Sequence, residues 1–123
     1  MPSRDLDRMR KLLLRAEALP VDPDEDFCSG YVDLMNNLSP DDAYQLLLMR
    51  DAGLIEGEDA NLGLFRIKNA GHDYLDAIRD EDIWKKTKDG ASKVGGVTLG
   101  IFKDIAIAYV KQAVTEKLGI NLS

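Results

Sequence analysis

Residues 39–54 read SPDDAYQLLLMRDAGL, and they hold the start, the apolar face and the stop of one short helix. Ser39 is placed to cap it. Pro40 takes the first helical position, where its missing N–H costs nothing, and Asp42 stands three residues after the cap in a capping-box-like arrangement. Ala43, Leu46, Leu47 and Arg50 form the following face, with Leu46 and Leu47 turned inward. Gly53 suits the left-handed conformation that ends helices, and Leu54 then folds back over the last turn.

Immediately after this helix, residues 54–58 and 63–67 are short segments separated by Asp59-Ala60-Asn61, which predicts a β-hairpin with Phe65 and Ile67 on one face. On the N-terminal side, Leu6, Met9, Leu13 and Ala16 recur at helical spacing, so a first helix is expected with Ser3 as its cap. Asp5 and Asp7 fall in its favourable first turn. Pro20 and Pro23 stop it, and Arg8, Lys11 and Arg15 are expected on a solvated face. Residues 20–30, PVDPDEDFCSG, predict a surface linker. Tyr31, Leu34, Met35 and Leu38 have the spacing of a short second helix, with a strand over residues 27–32 as the alternative. Helix and hairpin together predict a mainly α (α+β) fold, winged-helix-like over residues 1–70. A helical part follows over 71–123, and the 123 residues form a single domain.

In that second part Asn69 is expected to cap a helix burying Tyr74, Leu75 and Ile78, and Asp80-Glu81-Asp82 to begin another. The latter carries Ile83 and Trp84, with Lys85, Lys86 and Lys88 toward its end, where cations are favoured. The two helices form a hinge pair around Trp84. Gly90, Gly95 and Gly96 mark a flexible break before a last helix, roughly 98–118, capped by Thr98 and ended by Gly119. Its apolar residues Leu99, Phe102, Ile105, Ala106, Tyr109, Ala113 and Val114 form one broad stripe. Ile101, Ile107, Ala108 and Val110 spread beyond the ~100° that one core needs. A homodimer is therefore expected, with Ile101, Ile105, Ala108 and Tyr109 in the shared helix.

The net charge of −6 is unevenly distributed. Residues 20–62 hold eleven acidic side chains against the single Arg50, while the segments on either side are each +2. The middle third is thus a solvated acidic surface or one shaped for a basic protein partner. No apolar run approaches 18 residues, and MPSRDLDRMRK lacks the apolar core of a signal peptide, so a membrane span and export are disfavoured and the cytoplasm is expected.

The residue types for catalysis or metal binding are sparse, and no cofactor, metal site or enzyme activity is expected. Cys28 is the only cysteine; it is expected to be a buried or half-buried thiol. His72 is the only histidine; with Asp73 and Asp76 it offers fewer nitrogen and sulfur ligands than zinc needs, and no second feature makes it the base of a nucleophile. GASKVGG lacks the closing Gly-Lys-Ser/Thr of a phosphate-binding loop and is expected to be a connector.

The runs GLIEG at 53–57, GHDYLDAIRDEDIWKKTKD at 71–89 and GGVTLGIFKDIAIAYVKQ at 95–112 resemble a bacterial and prophage-borne family, the domain of unknown function numbered twenty-five thirteen. The resemblance covers most of residues 4–118. It implies a winged-helix-like N-terminal half followed by C-terminal helices, and it carries over no catalytic residues. Where the family has a Tyr-His pair this chain has Tyr44-Gln45. Where the family has a capping Thr it has Lys68, so Asn69 is expected to take the cap one residue later.

Two functions follow. A winged-helix DNA-binding regulator would present residues 40–52 to the major groove, yet that helix carries Asp41, Asp42 and Asp51 against Arg50. The hairpin carries Glu56, Glu58 and Asp59 against Arg66, and phosphate contacts want cations. A protein-interaction or accessory module is therefore the favoured expectation, with Asp41, Asp42, Tyr44, Gln45, Arg50, Glu56, Glu58 and Asp59 as candidate contacts for a partner.

Overall fold

Asp5, rather than Ser3, caps the first helix, α1 (Leu6–Ala18), its carboxylate accepting the Arg8 N–H at 3.0 Å. The shift has a tertiary cause. Gln45 Nε2 donates to the Ser3 carbonyl and Gln45 Oε1 accepts the Asp5 N–H, both at 2.8 Å, which holds residues 3–5 outside the helix. Met9, Leu12, Leu13 and Ala16 are buried at i, i+3, i+4 and i+7, the single stripe that an amphipathic helix presents to a core. The structure, a computed structural model, describes residues 3–20, 29–95 and 97–119. The expectations for Cys28, for Gly96 and for most of the linker lie outside those residues.

The segment after the linker is a strand, not the short helix expected. β1 (Tyr31–Asp33) is followed by one 3-10 turn, Met35–Asn37. The Asp33 carboxylate accepts the Met35 N–H at 2.9 Å and starts the turn, while buried Leu34 donates its N–H to the Gly63 carbonyl at 3.0 Å. Short polar side chains compete with helical hydrogen bonding in this way.

The organising helix is α2 (Pro40–Asp51). Ser39 and Asp42 form the full reciprocal capping box, each side chain accepting the other residue's N–H. At its end the Leu54 N–H reaches the Met49 carbonyl and the Gly53 N–H reaches Arg50, with Gly53 at φ +80°. This is the paired Schellman closure, which a residue with a Cβ resists. The inward stripe is Gln45, Leu46 and Met49; Leu47, expected inside, is half-buried.

β2 (Ile55–Glu56) and β3 (Leu64–Ile67) form the expected antiparallel hairpin, joined by the turn Ala60–Leu62, which packs against α2. β1 adds to the other edge of β3, giving the sheet order β1-β3-β2. Ile55, Phe65 and Ile67 are buried, while Glu56 and Arg66 are half-buried on the alternate positions. β1 overlaps the alternative strand over residues 27–32, and local spacing could not decide for it because its partner lies more than thirty residues away.

The chain separates into two compact units, Met1–His72 and Asp73–Ser123. α3 (Asn69–Ile78) runs across that division. The His72 N–H donates to the Lys68 carbonyl at 3.0 Å, so Lys68 occupies the cap position predicted for Asn69. In the second unit Asp80 caps α4 (Glu81–Val94), and Thr98 caps α5 (Leu99–Leu118). Phe102, 1% exposed, is the centre of this unit. Tyr74 meets it edge-on at 6.4 Å and Trp84 at 5.5 Å between ring centroids. Lys88 lies 5.3 Å from the Trp84 ring, within cation–π range.

Gly90 does not break α4, which continues to Val94. A Cβ on Gly90 would stand 3.0 Å from the Tyr109 hydroxyl. Glycine there serves the close approach of α5, and the helix ends only at Gly95, at φ +69°.

Candidate functional site

The acidic residues singled out in sequence fall into two groups once the first unit is folded. Asp42 is committed to the fold. One of its oxygens accepts the Ser39 N–H at 3.1 Å and the other accepts Arg8 Nη1 at 2.8 Å. Burial pushes this carboxyl up, but the hydrogen bonds from Arg8 and Ser39 outweigh it and hold the group below the ordinary aspartate range. Arg8 is raised in turn, chiefly by its bond to Asp42. The basic face of α1 is therefore not simply solvated, since Arg15 Nη1 also reaches the Asn37 carbonyl at 3.1 Å.

Glu56 is likewise paired. Its carboxylate accepts Arg66 Nε at 2.7 Å, and that bond holds Glu56 below the ordinary glutamate range. Arg50 Nη1 donates to the Gly57 and Glu58 carbonyls at 3.2 and 3.3 Å, pinning the hairpin to α2. Gln45 is withdrawn from any partner. It is 2% exposed, and both ends of its amide are spent on residues 3–5, so its place among the candidate contacts is corrected.

What remains at the surface is narrower than the expected set. Asp41, Glu58 and Asp59 are exposed and Tyr44 is half-buried. Away from the buried stripe of α2, exposed Asp51 and half-buried Leu47 and Leu48 join them. Asp51 and the two leucines were visible at helical spacing, but their role depends on which stripe the core takes. The two arginines of α2 and the hairpin are both turned onto protein oxygens.

Of the candidate dimer residues, Ile101 is 49% exposed, Ala108 is exposed, and Ile105 and Tyr109 are half-buried. Exposed His72 lines a groove of about 630 Å³ with Asp33, Tyr31 and Arg66. Among the described residues no three His, Cys, Asp or Glu side chains come together as a metal site. Among them, no helix is long and apolar enough to cross a membrane.

No curated protein and no solved structure matches the chain. The family model described as Hypothetical protein (DUF2513) matches residues 3–98, which takes in α1, the three-stranded sheet, α2, α3 and α4. With most of its length matched, the chain belongs to the DUF2513 family of hypothetical proteins.

Proposed function

We propose that this protein is a non-enzymatic, cytoplasmic interaction module of winged-helix-like build, whose α2 and hairpin surface meets a basic protein partner. The winged-helix reading is supported by the order helix, strand, helix, hairpin and by a sheet in which the first strand joins the second strand of the hairpin. On that reading α2, the helix just before the hairpin, corresponds to the DNA-reading helix of a winged-helix domain.

One observation carries the choice of partner: Arg50 and Arg66, the cations of α2 and the hairpin, are engaged by protein oxygens, while Asp41, Asp51, Glu58 and Asp59 are exposed. Such a surface repels phosphates and attracts cations. A phage or mobile-element setting, implied by the family resemblance, suits an accessory factor that occupies the basic face of another protein.

The second reading, a DNA-binding regulator, draws on the same fold order and is separated by one titration. The protein is mixed with random-sequence duplex DNA at ~50 mM salt, where electrostatic binding is strongest. No binding at tens of micromolar is expected, and salt-sensitive micromolar binding overturns the proposal. A pull-down from the native host then compares the protein with Asp41→Lys/Asp51→Lys, which spares the capping box; a basic partner should be lost from the variant.

A further inference from the structure

The buried residues of α5, Leu99, Phe102 and Ala106, all lie in its first eight positions. Opposite them a second line runs the length of the helix: Ile101, Asp104, Ala108, Lys111 and Thr115, every one exposed. Their spacing of three and four residues places them on one face. Half-buried Ile105 and Tyr109 form one shoulder of that face.

The charges on this line are complementary to themselves. Asp104 and Lys111 are seven residues apart and so occupy the same position of successive heptads. Two parallel copies in register would set Asp104 against Asp104. Two antiparallel copies related by a two-fold axis beside Ala108 set each Asp104 next to Lys111 of the second copy, twice over. Among the described residues neither group enters an ion pair within its own chain.

We propose that α5 is a self-association helix, packing antiparallel against α5 of a second copy about an axis beside Ala108. The occupant of the face is a second copy because the charge pattern repeats with the sign inversion that an isologous two-fold contact requires. Ala108 brings the helices close at the axis, and Ile101 of each copy covers Thr115 of the other. The Asp104–Lys111 pairs set the direction and register. The residues of this proposal are on α5 and those of the acidic surface on α2 and the hairpin, so either proposal can fail without the other.

The test is mass by light scattering at tens of micromolar. The unaltered protein is expected to be a dimer. Asp104→Lys or Lys111→Asp alone should weaken association at least tenfold, and the two together should restore it. A monomeric parent, single reversals that leave the dimer intact, or a double reversal that fails to restore it would each overturn the proposal. If a reversal variant fails to fold, as read by circular dichroism, Cys28→Ser/Ala108→Cys decides: under mild oxidation a disulfide-linked dimer supports the two-fold axis and a monomer overturns it.

Discussion

Arg8 Nη1 donates to Asp42 Oδ1 at 2.8 Å, joining α1 to the first turn of α2 through a carboxylate that also completes a capping box. The same side chain thus satisfies one N-terminal donor of α2, the Ser39 N–H, and fixes where α1 lies against it.

Asp42→Ala removes both functions and should lower unfolding stability by about 0.5–2 kcal/mol, the range for a lost capping side chain. Asp42→Asn keeps an oxygen for the Ser39 N–H and should cost clearly less. Urea denaturation of the two variants decides; equal losses would mean that the cap contributes little and the ion pair dominates.

The acid limb of stability follows from the same contacts. Asp42 and Glu56 are both held below their ordinary range, so the unfolded chain binds protons that the folded chain does not. Their contribution is complete above the unfolded values near pH 4 and is lost as pH falls through the lower folded values. Urea midpoints from pH 6 to 2.5 should therefore fall below about pH 4, and less steeply in Asp42→Ala. Parallel curves for parent and variant would contradict this origin.

Gln45 holds residues 3–5 in place by donating to the Ser3 carbonyl and accepting the Asp5 N–H. Gln45→Ala leaves a buried gap and frees both groups, a cost of about 1–3 kcal/mol. Hydrogen exchange should quicken first at the Asp5 amide. Unchanged exchange there would show that residues 3–5 are held by something else.

Gly90→Ala sets two effects against each other. Alanine gains up to about 1 kcal/mol of helix propensity, but its Cβ would press the Tyr109 hydroxyl at 3.0 Å. The substitution should be neutral or destabilising alone, and stabilising relative to Tyr109→Phe when made in that background. A gain of the same size in both backgrounds would show that the hydroxyl does not limit the site.

Several elements of the fold carry signals that are purely local. A capping box, a left-handed glycine or a hairpin turn is satisfied within about five residues, so Ser39, Asp42, Gly53, Thr98 and Gly119 could be read directly. The amphipathic stripe of α1 was legible for the same reason, although its cap was not, because Gln45 lies forty residues from Asp5.

By itself, then, the sequence determined the five helices, the hairpin, the family and the concentration of acid in the middle third. Only the tertiary structure decided which acids remain available. Asp42 and Glu56 are neutralised by Arg8 and Arg66, and Gln45 is buried by the segment it binds. It also decided that residues 31–33 form a strand and that Gly90 continues a helix. In each case the deciding partner is a side chain or strand brought close by folding, whose presence no local periodicity encodes.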